Sequence, residues 1–353
     1  MPERVRVGMI GTSWWADGRL LPNLKSHPRA TLAAICGRDP TRAAALAKKY
    51  DIPQVYDDYR AMLAHAGLDA VVIAAPDDLH YAMTMAALDT GLHVVCEKPL
   101  ANNAQQARQM YEKAEAAGLK HMVFFTNRWL PPYQYLAHLM AEGYVGRVHA
   151  CTLVYLSSFG LRDPYMWRLD RTRANGALGD IGPHMIDLAR WTCGEIRSVS
   201  ARLAVNLRRD ERPFQPANDA AMLLLEFATG VQAFMHLAHS TPPGAREYQQ
   251  QFVAHGDAGT LEADLADPAR VEIHGTRAGR REHLPVPAEW WGETDPAKPY
   301  DVFERQAAGC RAFVDAILEN RPLSPNFYDG LKVQEVIDAA LESHRTGCTV
   351  SLD

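Results

Sequence analysis

The chain has 353 residues, 47% of them hydrophobic and 22% charged, with a formal net charge of −5. A single core rarely grows past about 250–300 residues, so two domains are predicted. The mild acidity excludes the basic stripe that nucleic acid requires, and the longest apolar runs, Ala70–Pro76 and His121–Phe125, fall far short of the roughly 18–20 residues of a membrane span.

Met1-Pro2-Glu3-Arg4 runs straight into a strand pattern, which predicts no signal peptide. Val5–Ile10 reads as the first strand and Ala30–Cys36 as the second, followed by a helix over Thr41–Tyr50. Ala70–Ala74 is a third strand, apolar without alternation, as burial on both faces demands. A helix from about His80 to Thr90, ended by Gly91, leads to the strand His93–Cys96. Asn102–Ala117 is predicted helical, with Asn102 as N-cap, Gln105 three residues on and Gly118 at the C-cap. His121–Phe125 closes the series. Strand–helix alternation at this spacing predicts an α/β Rossmann domain, a doubly wound parallel sheet, over 1–126.

Beyond residue 126 the pattern changes. A helix over Tyr133–Glu142 precedes long strand-like stretches at Arg147–Ser157, Arg197–Asn206, Asp219–Phe227, Val231–His239 and Gln249–Ala254. Ala228-Thr229-Gly230 reads as a hairpin turn between two of them. The stretch 276–300, basic and then rich in Pro and Trp, reads as a long surface excursion, and helices at Phe303–Glu319 and Gly330–His344 finish the chain. Residues 127–353 are therefore expected to form an α+β domain with a large, mostly antiparallel open sheet, one face on helices and one free. A free face of that size predicts a homodimer or homotetramer. Cysteines 36, 96, 151, 193, 310 and 348 form no Cys-x-x-Cys pair. They read as reduced core residues of a cytoplasmic protein. The histidines are scattered without ligand spacing, so no metal is predicted.

The first strand runs into Gly11-Thr12-Ser13-Trp14-Trp15-Ala16. Against G-x-G-x-x-G/A, Gly11 is the first glycine, Ser13 stands at the second and Ala16 at the third. Such a turn brings backbone close to a pyrophosphate and sets it on a helix N-terminus. Serine in the second place weakens the motif, and an ordinary strand-to-helix turn remains open on the motif alone. The second strand ends in Cys36-Gly37-Arg38, where an acidic residue would bind a free ribose hydroxyl; Gly37 gives room and Arg38 suits a 2′-phosphate, so NADP is favoured. Asp39 keeps NAD open. The strand His93–Cys96 runs into Glu97-Lys98-Pro99, at the carboxyl end of a parallel strand where open α/β sheets bind ligands.

With Ala75-Pro76-Asp77-Asp78-Leu79-His80, Asn127-Arg128-Trp129-x-Pro131, Gly143-Tyr144-Val145-Gly146, Trp167-Arg168 and Gly176-x-x-Gly179-Asp180-Ile181-Gly182-Pro183-His184-x-x-Asp187 following in order, the sequence resembles the glucose–fructose oxidoreductase / inositol dehydrogenase / rhizopine-catabolism family over essentially its whole length. Ser13, and Asn175 where a glycine is frequent, depart from the pattern. The resemblance implies an NAD(P)-dependent oxidoreductase acting on a hydroxyl or carbonyl of a sugar, cyclitol or related polyol. Lys98 is then the active-site lysine, and Asp180 and His184, four residues apart, line the substrate site. Gly11, Thr12, Ser13, Trp14, Trp15, Arg38, Ala75, Pro76, Leu79, His80, Glu97, Trp167 and Arg168 are the residues expected at the cofactor. Arg128, Tyr155, Trp129, His236 and His239 are candidates for the pocket lining, with a core or surface role equally open. His184 is the expected general base in oxidation and Lys98 the stabiliser of the reacting oxygen, with exchange of those two roles open. The expectation is geometric: Lys98 and His184 meet across a crevice holding a nicotinamide. Two other readings stand on the same fold, a non-catalytic NAD(P)-binding sugar-responsive regulator and an NAD-dependent glycoside-processing enzyme.

Overall fold

The computed structural model describes residues 3–162, 165–207, 215–242, 244, 248–267 and 269–352. By internal contacts the chain divides into two units, Met1–Trp129 with Tyr300–Lys332, and Leu130–Pro299 with Val333–Asp353.

In the first unit β1 (Val5–Ile10), β2 (Ala30–Cys36), β3 (Gln54–Tyr56), β4 (Ala70–Ile73), β5 (His93–Glu97) and β6 (His121–Phe124) form one parallel sheet in the order 3-2-1-4-5-6. The order reverses between β1 and β4, the switch point outside whose carboxyl ends such sheets bind ligands. Every residue of β4 and β6 is buried, the reason both strands read as unbroken apolar runs. β3 and the helix Tyr59–His65 were not predicted; the strand has only three residues and no apolar pattern.

Helix starts follow their caps. Asn103, not Asn102, caps the helix Ala104–Ala116: its Oδ1 accepts from the Gln106 amide at 2.9 Å. Both asparagines carry the right chemistry, and only the fold decides between them. The helix predicted from His80 begins at Asp77, after Pro76 in an extended conformation, and places Asp77 and Asp78 in the first turn, where the helix dipole favours carboxylates.

Residues 300–332, assigned by sequence to the second domain, join the first unit. Asn23, fully buried in the helix Leu21–Lys25, is the anchor. Its Nδ2 donates to the carbonyls of Phe303 and Ala308, and its Oδ1 accepts from the Cys310 amide at 2.6 Å. Nearby, the Phe124 and Phe303 rings lie 5.5 Å apart, and His121 Nδ1 accepts from the Phe327 amide at 3.0 Å. The predicted helix Phe303–Glu319 is split into Val302–Arg305 and Cys310–Glu319. Gly309 makes the break at φ +57°, where a Cβ would stand 2.9 Å from Asn23 Oδ1. Asn23→Ala strands three buried backbone groups, so an unfolding free energy about 3 kcal/mol lower is expected in urea titration; an unchanged midpoint would argue against this anchor.

The second unit is built on nine strands: β7 (Val148–Ser157), β8 (Ile196–Ala204), β9 (Ala220–Phe227), β10 (Gln232–Ala238), β11 (Tyr248–Gly256), β12 (Thr260–Asp264), β13 (Glu272–Arg277), β14 (Arg280–His283) and β15 (Val350–Ser351). Their order is 14-13-12-11-7-10-9-8-15, antiparallel throughout except between β7 and β10. The hairpin turn after Phe227 forms as predicted, with Gly230 at φ +84° donating its amide to the Phe227 carbonyl. Ala221, Leu223, Leu225 and Phe227 of β9 are buried, whereas Met222 and Leu224 are exposed, so one face is covered and one free. The stretch 276–300 is mostly exposed, as the surface reading expects, and it carries regular structure. It holds the end of β13, the turn at Ala278 and Gly279, β14 and the short helix Ala288–Trp291. β14 reads Arg-Arg-Glu-His with all four residues exposed: a charged edge strand, which has no alternation to betray it. Among the described residues no helix is long and apolar enough to cross a membrane.

Candidate active site

The first unit carries the nucleotide features. Gly11 sits at φ +116°, and a Cβ there would lie 2.3 Å from the Ala74 carbonyl oxygen, so only glycine lets the turn after β1 pass this close to β4. Gly37 is equally confined, its would-be Cβ 2.5 Å from Thr12 Cγ2; it makes room for the turn itself. Ser13, in the second-glycine position, braces the turn from within. Its Oγ accepts from the Ala16 amide at 3.1 Å, and its carbonyl accepts from Asp17. That use of the oxygen leaves the hydroxyl proton for another acceptor. The following helix opens with one wide turn over Ala16–Leu20. These confined glycines and the capped helix start fit a bound dinucleotide phosphate.

Arg38 is exposed at the end of β2. Asp39 caps the helix Pro40–Tyr50, its Oδ1 accepting from Thr41 and Arg42 amides at 3.0 and 3.1 Å. Its carboxylate is thus engaged locally while the arginine faces solvent. Trp14 is 70% exposed, and its ring meets Trp15 edge-on at 5.4 Å. Trp15 reaches across the sheet end: its Nε1 donates to Glu97 Oε1 at 2.6 Å, while Glu97 Oε2 accepts from the Lys98 amide at 3.2 Å. The dinucleotide turn and the lysine are therefore joined through one carboxylate. Lys98 is half-buried, and the Lys98–Pro99 peptide is cis.

Ala75, Pro76 and Leu79 are partly exposed after β4. His80, expected at the cofactor, has its side chain fully inside. Nδ1 lies 2.8 Å from the Pro99 carbonyl and Nε2 2.9 Å from the Ala75 carbonyl, so the ring ties the two loops that follow β4 and β5. Burial opposes a charge there, but Cys96 and the two carbonyls outweigh it and raise the pKa above the usual histidine value. Arg128 lies 3.6 Å from Asp329 in a mostly buried ion pair, and Trp129 is buried beside it in the chain.

The second unit carries the proposed substrate groups. Asp180 ends the short helix Gly176–Asp180, and His184 lies in the first turn of Gly182–Cys193. The two helices are separated at Ile181, which keeps right-handed helical angles (φ −96°, ψ −22°). Asp180 is mostly buried. Its Oδ1 accepts from Arg168 Nε at 3.2 Å and its Oδ2 faces His239 Nε2 at 3.1 Å. Arg168 also lies over the Trp167 ring at 4.3 Å. Asp187 is buried and His184 half-buried. Tyr155, on the covered face of β7, meets Tyr248 of β11 at 5.7 Å. His239 stands with Asp180, whereas His236 alternates onto the free face beside Phe234. Sequence reasoning left His239 undecided and missed Ser157, whose Oγ lies 2.8 Å from His239 Nδ1; no local pattern links residues 82 apart. Among the described residues no cluster of three metal-ligating side chains occurs.

A switch-point sheet with a glycine-turned phosphate loop, followed by a large open sheet, defines a nicotinamide-type oxidoreductase architecture. A model of an oxidoreductase family with an NAD-binding Rossmann fold matches residues 5–125, and one of the GFO/IDH/MocA C-terminal domain matches 133–262. The chain is 32% identical to D-xylose 1-dehydrogenase (NADP(+)) 2 of Haloferax volcanii, covering 98% of this chain and 99% of that protein. It is 29% identical to levoglucosan dehydrogenase of Pseudarthrobacter phenanthrenivorans, over 88% and 86% of the two. A solved structure of levoglucosan dehydrogenase with NADH and L-sorbose superposes with a TM-score of 0.86 at 27% identity over the whole of both chains. The chain belongs to the GFO/IDH/MocA oxidoreductase family, and it is an NAD(P)-dependent dehydrogenase or reductase.

Proposed function

We propose that this protein moves a hydride between a nicotinamide cofactor, NADP in preference to NAD, and a CH–OH or carbonyl group of a sugar, cyclitol or related polyol. The observation that carries the reading is Lys98, set at the carboxyl end of β5 and tied through Glu97 to Trp15 of the dinucleotide turn. The relatives' names, a xylose and a levoglucosan dehydrogenase, support the substrate class.

When bound, the nicotinamide supplies the hydride chemistry. Gly11, Thr12, Ser13 and Trp14 receive the dinucleotide, with Ala75, Pro76 and Leu79 flanking it. Lys98 donates to the reacting oxygen and stabilises its developing charge. His184 takes the hydroxyl proton in the oxidative direction. Asp180, paired with Arg168, accepts from a neighbouring hydroxyl and fixes the substrate, while Tyr155 lines it. The test is nicotinamide absorbance with a panel of aldoses, cyclitols and polyols, run in both directions. Turnover with at least one member is expected, and none with any would end the reading.

Cofactor choice rests on Arg38, exposed where Asp39 is spent on a cap. Arg38→Ala is expected to raise the Kd for NADP about tenfold or more, one charge-assisted phosphate contact, and to leave NAD unchanged; equal effects on both would contradict it. Met222 and Leu224 of β9 and Phe234 of β10, register neighbours on the free face, support self-association through this sheet. Leu224→Glu is expected to shift the light-scattering mass downward, and a monomeric wild type would refute the inference. Of the six cysteines expected in the core, Cys36, Cys96, Cys151, Cys193 and Cys310 are buried, whereas Cys348 is exposed.

A further inference from the structure

We propose that His239 and Ser157 form a buried pair that fixes the Asp180 carboxylate, making His239 a positioning residue for the substrate-binding group. The inference rests on the reading of Asp180 given above. His239 is 2% exposed and Ser157 6%. Nε2 of the ring lies 3.1 Å from Asp180 Oδ2, and Nδ1 lies 2.8 Å from Ser157 Oγ.

A carboxylate paired with Arg168 only accepts, so Nε2 of His239 carries hydrogen and donates to Oδ2. Ser157 Oγ accepts from the Phe159 amide at 3.4 Å, and in the proposed pair its own proton goes to Nδ1. In the proposed pair Nε2 carries the hydrogen that reaches Asp180 and Nδ1 accepts from Ser157. The same logic operates where an outer hydrogen bond fixes the tautomer of a working histidine.

The backbone holds the ring in register. The His239 amide donates to the Asp219 carbonyl at 2.8 Å, and its carbonyl accepts from Gly160 at 2.9 Å. A Cβ on Gly160 would stand 2.9 Å from that carbonyl, so glycine permits the approach. The Phe159 ring lies 5.4 Å from the imidazole. With Arg168 on one oxygen and His239 on the other, the carboxylate plane is set.

The test compares His239→Leu, which removes the donor, with His239→Gln, whose amide nitrogen donates from nearly the same place. For the best polyol of the panel, His239→Leu is expected to lower kcat/KM about 10- to 100-fold, the usual effect of losing an outer-shell partner. NADP affinity should stay within about twofold of wild type, since no cofactor contact is removed. His239→Gln should recover most of the loss. Nitrogen NMR of wild-type protein, with the His239 signals identified by their disappearance in His239→Gln, should show a neutral ring protonated at Nε2. Equal losses in the two variants, unimpaired His239→Leu, or a ring protonated at Nδ1 would overturn the proposal. The NMR reading needs no turnover. A wild type inactive on every polyol but with the Nε2–H ring would therefore sink the substrate reading and leave the His239–Asp180 pairing standing.

Discussion

Lys98→Ala is expected to lower kcat about 100- to 1,000-fold, the size of effect seen when a single donor to a developing oxyanion is removed. The Kd for NADP is expected to move by less than about threefold, because the phosphate turn and the end of β2 are untouched. The reasoning starts at Glu97. Its two oxygens are taken by the Trp15 indole and by the Lys98 amide, so the backbone that carries the lysine is fixed independently of the ammonium group. Removing the side chain beyond Cβ therefore removes a charge and leaves its platform. Lys98→Arg keeps the charge but spreads it over a longer, planar group, and only partial recovery is expected. A Lys98→Ala variant with near-normal kcat would remove the lysine from the chemistry.

Gly11→Ala is expected to damage both stability and cofactor binding. At φ +116° an alanine is strained wherever it is placed, and its Cβ would stand 2.3 Å from the Ala74 carbonyl oxygen. Relief requires β1 and β4 to part at the point where the Ala74 amide donates to the Ile10 carbonyl at 2.8 Å. A loss of about 2–4 kcal/mol in unfolding free energy is expected, the range for backbone strain combined with overpacking. NADP affinity is expected to fall with it, since the turn proposed to receive the phosphates is the part displaced. Gly18→Ala serves as the control, because a Cβ there meets nothing within 4 Å. Equal midpoints and equal NADP affinity for Gly11→Ala and wild type would contradict the account of this turn.

Much of the fold was legible because its signals are local. β1 and β2 begin and end where apolar runs and glycine punctuation placed them, and the change from alternating strands and helices to long amphipathic strands marks the second sheet. The parts that escaped are those set by distant contacts. Nothing near Tyr300 announces that Asn23, some 280 residues earlier, holds that segment in the first unit. β14 hides because a charged edge strand has the composition of a loop. The choice of Asn103 over Asn102 as cap is a one-residue matter that two adjacent asparagines leave undetermined.

The site divides in the same way. Lys98, Asp180 and His184 came from ordered motifs and a family resemblance, and the Gly11 turn from its own chemistry. Of what surrounds Asp180, the sequence offered Arg168 for the cofactor and His239 as an undecided pocket candidate, and missed Ser157. His239 lies 59 residues away and Ser157 reaches it only through that ring. His80 was placed at the cofactor by its position in a motif, whereas its ring lies between two carbonyls inside the loops. A motif reports that a residue matters and not whether it touches ligand or holds the backbone that does.

The central claim is that Lys98 and His184 serve one reaction. A double-mutant cycle in kcat/KM, with Lys98→Ala, His184→Ala and the double variant on the best polyol of the panel, tests it most directly. Groups acting as a unit give a double variant about as slow as the slower single one. Losses that simply multiply, or singles that bind NADP and turn over at close to the wild-type rate, would contradict it.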